Sequence, residues 1–334
     1  MMRKNKIIEK LKILFGTPTG VAVSIATAVF VITLILNIIS VSYHPSDEIK
    51  FNDANLENAI KYGLHEIVLT EDEAEEVTEL TISDAEPIND LTDLKFFPNL
   101  KELTITGTEV KSFEGIQDLH KLKSFSCTNS KSDISALYEN EITIKELNIS
   151  GNEVIDLPKL FDSCGKLEKL TANECQITGS VVCYSESITE LSLVKNAITN
   201  FGGSFDKLEK LSLNSNRIIS MAADLPSILE INLNNNYGFV SIESLLKYVT
   251  LNTLKFSNDP IDSIDGISAL KNLNSIDLTG TKVTDVTELE KIETFNSIFL
   301  DPDFDRTQID FLIGNFRDGD IETKRYLIGK KEEL

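Results

Sequence analysis

The sequence has no tryptophan and only three histidines, and aromatic residues make up 7% of its 334 residues. Aliphatic side chains must therefore build the core. His44, His65 and His120 have no Ser, Cys or carboxylate partner in a known catalytic arrangement. The sequence also lacks a phosphate loop, a dinucleotide fingerprint and a metal-binding His-x-x-x-His. We therefore expect no catalytic residue, cofactor or metal, and a protein that is not an enzyme.

Positive charge is scarce and unevenly distributed. The chain has 32 basic and 53 acidic residues, for a formal net charge of −21. This balance argues against a nucleic-acid partner, because phosphates require a basic face. The first twelve residues nevertheless contain five bases, namely Arg3, Lys4, Lys6, Lys10 and Lys12. A basic head on an acidic body indicates two different environments.

A membrane segment explains the two environments. No side chain in residues 13–46 carries a formal charge, and residues 21–41 are almost wholly apolar or small. Twenty-one helical residues rise roughly 31 Å, which matches the hydrocarbon thickness of a bilayer. We predict a cytoplasmic basic segment at 1–20, a transmembrane helix at 21–41 and a linker at 42–50. The positive-inside rule then places the rest of the chain outside the cell, so the protein would be a single-pass protein of the cell membrane.

Two other targeting signals are alternatives. A cleaved signal peptide would need a shorter apolar region and a cleavage site, for which Ser40-Val41-Ser42 is a weak candidate. The final Lys-Glu-Glu-Leu resembles a lumenal retrieval signal.

After this segment the chain repeats itself. Two clear copies are Ile144-Lys-Glu-Leu147-Asn-Ile149-Ser-Gly-Asn152 and Ile188-Thr-Glu-Leu191-Ser-Leu193-Val-Lys-Asn196. The frame recurs every 20–23 residues, starting at Val77, Leu100, Leu122, Ile144, Leu167, Ile188, Leu208, Ile228, Leu251, Leu273 and Phe295. The pattern resembles the leucine-rich-repeat family. The resemblance implies an α/β solenoid over residues 77–302. We expect a curved horseshoe with a parallel concave sheet and mostly 3₁₀ or irregular convex turns.

The final position of each frame is predicted to form an inward ladder of hydrogen-bonding side chains. Asn152, Asn196, Asn216 and Asn236 occupy it, and Cys175 replaces asparagine in the fifth repeat. The weaker substitutes are Thr108, Ser130, Asp259, Thr281 and Asp303, and Ala85 cannot substitute.

Caps are expected at both ends, because a solenoid needs polar terminal surfaces. Within an N-terminal cap at 51–76, residues 51–64 predict a helix capped by Asn52 or Asp53 and ended by Gly63. Leu56, Ala59 and Ile60 would form its buried stripe, and the acidic run 71–76 a solvated edge. The cap is similar to that of internalin-like bacterial surface proteins, although the chain lacks their C-terminal sorting motif. Residues 303–334 are expected to form the C-terminal cap.

The four cysteines lie outside the membrane in this topology. Cys127 and Cys175 occupy buried positions two repeats apart, which is beyond the reach of a disulfide. Cys164 and Cys183 lie on convex segments of neighbouring repeats and can pair. Four unpaired thiols are the alternative.

The outward side chains of the concave strands form the candidate binding face. They are mostly hydroxyls and amides beside a column of mixed charge. We predict contact residues at Glu146, Asn148, Lys169, Asn173, Lys210, Asn214, Glu230, Asn232, Asn234 and Tyr237. The leading hypothesis is a displayed module that recognises or adheres to a protein or glycan. The alternative is a non-catalytic scaffold subunit of a membrane or envelope complex.

Tyr237 lies in an irregular stretch of the repeat that begins at Ile228. We expect the extra residues to bulge at the lip of the concave face, which would place Tyr237 beside Asn214, Asn234 and Asn235. In the alternative, Phe239 fills the core and Tyr237 covers a neighbouring turn.

Overall fold

The computed structural model describes residues 48–310, except 133, 140–142, 154–155, 294, 296, 302–303, 306 and 309. From Ile49 onward these residues belong to one structural unit. Within them, no helix is both long and apolar enough to cross a bilayer. The predicted transmembrane helix at 21–41, the basic segment at 1–20 and residues 311–334 of the predicted C-terminal cap lie outside the described residues.

The main element is a parallel sheet of eleven strands, one from each repeat. Strands are numbered in chain order. This sheet comprises β1 (Glu79–Ser83), β2 (Glu102–Thr106), β3 (Ser124–Thr128), β4 (Glu146–Asn148), β5 (Lys169–Thr171), β7 (Glu190–Ser192), β9 (Lys210–Ser212), β11 (Glu230–Asn232), β12 (Thr253–Lys255), β13 (Ser275–Asp277) and β14 (Ser297–Phe299). The repeat frame predicted from the sequence is confirmed, and the chain has a leucine-rich-repeat solenoid fold.

Alternation within each strand explains the stacking. The central Leu147 of β4 pairs with Leu170 of β5, and Leu191 of β7 pairs with Leu211 of β9. All four side chains are buried, whereas the residues on either side face outward. Each repeat therefore buries its aliphatic row only against its neighbours.

The ladder is also confirmed. The Nδ2 group of Asn216 donates to the carbonyls of Leu193 (2.8 Å) and Leu213 (2.9 Å), and its Oδ1 accepts from the amide of Ile198 (3.1 Å). The thiol of Cys175 fills the same position and donates to the carbonyl of Ile149 at 3.3 Å. Position 303 lies outside the described residues, and the residue before each of the ten earlier frame-end positions, 85 to 281, has a positive φ. These residues are Asp84, Gly107, Asn129, Gly151, Glu174, Lys195, Ser215, Asn235, Asn258 and Gly280.

The N-terminal cap contains helix α1 (Ala54–Leu64), whose start is confirmed. The carboxylate of Asp53 accepts from the amides of Asn55 (2.9 Å) and Leu56 (3.3 Å), and the predicted stripe Leu56, Ala59 and Ile60 is buried. The predicted end at Gly63 is wrong, because the helix continues to Leu64 and His65 adopts the left-handed conformation. Gly63 instead allows close packing, since a Cβ there would lie 2.7 Å from the carbonyl oxygen of Thr81.

A second helix, α2 (Glu71–Glu75), follows within the acidic run. Thr70 and Glu73 form a reciprocal capping box at its start. A buried carboxylate, Asp93, ties the cap to the first repeat. It accepts from the amides of Asn52 (2.6 Å) and Asp53 (3.0 Å).

The segments that return from one strand to the next vary along the chain. The predicted 3₁₀ turns occur at Thr92–Phe96, Ile116–Asp118, Glu243–Leu245, Ile267–Ala269 and Thr287–Lys291. The third and fourth repeats contain short helices instead, α3 (Ala136–Glu139) and α4 (Leu157–Ser163). The fifth to seventh contain β6 (Thr178–Ser185), β8 (Ala197–Phe205) and β10 (Ser220–Met221), which form a second parallel sheet.

The expectation of irregular turns was therefore wrong for the three shortest repeats. A strand advances about 3.3 Å per residue, against about 1.5–2.0 Å for helical turns. A repeat of 20 or 21 residues can thus span the same width only with an extended segment.

All four cysteines are buried free thiols, so the Cys164–Cys183 disulfide is not formed and the alternative of unpaired thiols holds. Cys127 lies 3.0 Å from the hydroxyl of Ser130. Burial raises the pKa of Cys164 and of Cys183 to about 12. These thiols are core-filling side chains with little thiolate character at neutral pH.

Candidate functional site

The candidate site is the strand face, defined as the outward side chains of the eleven-stranded sheet and the two residues that follow each strand. Glu146, Lys169, Lys210 and Glu230 occupy the first position of β4, β5, β9 and β11. Asn148 and Asn232 occupy the third position of β4 and β11, and Asn173, Asn214 and Asn234 lie two residues beyond β5, β9 and β11. The sheet thus brings together every predicted contact residue except Tyr237. Their role in binding stays a prediction.

Charges on the strand face pair across neighbouring strands. Lys169 lies 3.4 Å from Glu146, and Lys210 lies 3.3 Å from Glu190. Lys255 contacts Glu230 at 2.5 Å. These side chains remain between one third and just over one half exposed. Such exposed pairs stabilise a fold little, so a partner can exchange them for its own charges at small cost.

Several strand-face asparagines also support the backbone. Oδ1 of Asn173 accepts from the amide of Val194 and from the hydroxyl of Ser192, both at 2.8 Å. Oδ1 of Asn234 accepts from the amide of Ser257 at 2.8 Å. Asn148 and Asn232 accept in the same way from the amide two residues later. Replacing these asparagines would therefore disturb loops as well as any contact.

Tyr237 lies beyond the strand face, in a turn closed by the amide of Phe239 donating to the carbonyl of Asn236. Phe239 is fully buried and stacks on Phe256 with ring centroids 5.9 Å apart, so the alternative for Phe239 is confirmed. Tyr237 itself is 76% exposed.

Two aliphatic side chains in the same region, Ile219 and Val240, are also exposed. Ile219 lies close to the turn that contains Tyr237, because a Cβ on Gly238 would lie 3.2 Å from Cγ1 of Ile219, and Val240 follows Tyr237 by three residues in the chain. Sequence reasoning missed this apolar patch. The signal was the adjacent pair Ile218-Ile219, since alternation allows only one of the two to face the core.

A second feature missed by sequence reasoning is a cleft between α1 and the end of β1. Its volume is about 340 Å³. Its polar lining residues are Asn55, Asn58, Tyr62, Ser83, Asp84 and Glu86. The cleft depends on how the cap packs on the first repeat, which no local pattern reveals.

The part of the chain that the structure describes contains no group of three His, Cys, Asp or Glu side chains that could hold a metal ion. The strand face has hydrogen-bond donors, acceptors and paired charges on an open surface. Such groups can form noncovalent contacts with another molecule.

Comparison with known proteins extends the fold assignment. No protein-family model and no curated protein sequence matches the chain. Among solved structures, an internalin (InlF) of Listeria monocytogenes aligns with 16% identity and a TM-score of 0.53, over 85% of this chain and 94% of that one. An internalin C2 of the same species aligns with 17% identity and a TM-score of 0.41, over 75% and 94%. A complex of TLR13 with ssRNA13 aligns with 18% identity and a TM-score of 0.48, over 70% and 34%. Of these three, only the first has a TM-score above 0.5. At 16% identity it shows a shared fold and leaves function to be argued from the site.

Proposed function

We propose that this internalin-like leucine-rich-repeat solenoid is a non-catalytic recognition or adhesion module, which residues 21–41 anchor in the cell membrane and display outside. Its partner is a protein or a glycan that lies along the strand face, and nucleic acid is disfavoured by the net charge of −21.

The observation that carries the proposal is the form of the strand face. Eleven parallel strands pair in continuous register, so the outward side chains at equivalent strand positions form open rows that run across the sheet, and most of these side chains are polar. Small molecules need concave sites that bury most of their surface. A long open face suits a macromolecular partner, which can contact many repeats at once.

A matched pair of charge reversals tests this function. Lys210→Glu changes the strand face, whereas Lys207→Glu makes the same change three residues earlier, at an exposed position outside the sheet at the end of the preceding repeat. The measurement is crosslinking of the full chain to its partner on intact cells. We expect Lys210→Glu to lower partner capture at least fivefold and Lys207→Glu to leave it unchanged.

Unchanged capture by both variants would contradict binding at the strand face. It would favour a scaffold subunit that is bound through its membrane segment or its return segments.

The proposed topology has its own test. Protease added to intact cells should digest the repeats and leave a short N-terminal fragment that contains residues 1–41. Protection of the whole chain would contradict the orientation. A mature protein that begins near Tyr43 would show that the apolar segment is a cleaved signal peptide.

A further inference from the structure

We propose that the cleft between α1 and the end of β1 binds a cationic side chain, arginine or lysine, of a protein partner. This inference deepens the proposed recognition function and rests on it, and it places one specific contact at the N-terminal end of the strand face.

The cleft is built by two close approaches. Gly63 lets α1 lie directly against β1, because any Cβ would press on the carbonyl of Thr81 at 2.7 Å. Asp84 has a φ of 50°, and its carboxylate lies over Gly107, where a Cβ would come within 2.6 Å of Oδ1. A hydrogen bond of 2.7 Å from Nδ2 of Asn55 to the carbonyl of Pro87 joins the two walls. These contacts fix the positions of the cleft walls relative to each other.

Negative charge without a cationic partner lines this cleft. Asp84 and Glu86 are exposed, and neither forms an ion pair with a described cationic side chain. The neighbouring Lys61 is bonded to Glu57 at 2.6 Å. Farther along the strand face, Glu146, Glu190 and Glu230 each have a lysine partner. The two cleft carboxylates have no such lysine partner among the described residues.

The remaining lining suits the body of a cationic side chain. The Tyr62 ring is 77% exposed. A guanidinium or ammonium group over a tyrosine face gains from cation–π attraction. Asn58 adds an amide that can accept from the same group. Two unpaired carboxylates favour such a cation over a neutral ligand of similar size, and a guanidinium can engage a carboxylate through two parallel hydrogen bonds.

The test uses a blocked Gly-Arg-Gly peptide and its citrulline analogue, which has nearly the same shape but no charge. Both are titrated calorimetrically into the full chain in detergent micelles. We expect the arginine peptide to bind at least tenfold more tightly than the citrulline peptide. Equal affinities would overturn the proposal, because the cleft would then not select charge.

Variants locate the binding in the cleft. The double variant Asp84→Asn with Glu86→Gln should weaken the arginine peptide at least tenfold. Asparagine tolerates the left-handed conformation at position 84, so the fold should persist. The control, Glu243→Gln with Asp262→Asn, removes the same number of charges from exposed positions in two other repeats and should change affinity less than twofold. Equal weakening by both pairs would show that net charge alone attracts the peptide.

Tyr62 separates ring contact from general attraction. Tyr62→Ala should weaken the arginine peptide about two- to fivefold, whereas Tyr62→Phe should bind like the unmodified chain. No effect of Tyr62→Ala would contradict the ring contact. If the peptide fails to bind while Lys210→Glu still abolishes partner capture, the cleft proposal is wrong and the recognition function stands. If the peptide binds but Lys210→Glu leaves partner capture unchanged, the cleft proposal stands and binding at the strand face is wrong.

Discussion

Asp259 occupies the ladder position of its repeat, where four other repeats have asparagine. Its Oδ1 accepts from the amide of Asn236 at 2.5 Å, but Oδ2 is buried with no hydrogen-bond partner. In the preceding repeat, Nδ2 of Asn236 donates to the carbonyls of Leu213 and Leu233. By analogy with Asn236, we expect backbone carbonyl oxygens to face Oδ2 of Asp259, at the place where asparagine has a donor group. Only a proton on Oδ2 can complete the ladder there.

Burial raises the pKa of Asp259 from 3.8 to about 8, and the bond from Asn236 only partly opposes that shift. A raised carboxyl pKa means that the folded state holds a proton that the unfolded state releases. The stability that this proton contributes is complete below pH 4 and declines as the pH rises to about 8. Each pH unit in that window removes about 1.4 kcal/mol from the free energy of unfolding.

We therefore predict that Asp259→Asn stabilises the protein and that its advantage grows by about 4 kcal/mol between pH 5 and pH 8. The assay is urea unfolding of both chains at several pH values, with the exposed Asp262→Asn as control. A constant difference across that range, or destabilisation by Asp259→Asn at every pH, would show that the buried carboxylate is ionised and satisfied.

The remaining predictions concern the core, the cap and the exposed patch. Leu211→Ala should cost about 2–4 kcal/mol in urea unfolding through lost burial and a cavity, whereas the outward Ser212→Ala should cost little; equal costs would contradict the strand register. Asp93→Ala should cost about 2 kcal/mol and raise amide exchange in α1, because the buried amide of Asp53 and the exposed amide of Asn52 lose their acceptor; unchanged exchange would mean that the cap is held elsewhere. Tyr237→Ala should leave the melting temperature unchanged and weaken partner capture about fivefold; lower stability with intact capture would identify Tyr237 as a packing residue.

Much of the fold follows from local repetition. The strand positions, the buried row of Leu147 and its equivalents, and the ladder asparagines were all predictable, because each depends on the spacing within one repeat. The cap at Asp53 was predictable for the same reason, since capping needs only a carboxylate beside the first amides of a helix. The membrane segment at 21–41 stays a prediction from composition alone.

Other features depend on contacts between repeats. Asp93 reaches back about 40 residues to hold the cap, and its sequence context resembles that of any exposed turn acid. The pairing of Lys169 with Glu146 needs two strands in register. The patch of Ile219 with Val240 and the cleft at Asp84 arise only when neighbouring segments lie side by side.

The sequence by itself determined the number and register of the repeats, because a period of 20–23 residues specifies which side chains enter the core. Tertiary structure decided the conformation of the segment that leads from each strand to the next. The segments at 178–185 and 197–205 became strands because a short repeat must extend to span the solenoid and because the neighbouring segment then offers backbone partners. Tertiary structure likewise decided where polar groups stay unbalanced, at Asp84 and Asp259. Whether a polar group has a partner depends on which groups the adjacent repeat places beside it. Those groups come from a different part of the sequence.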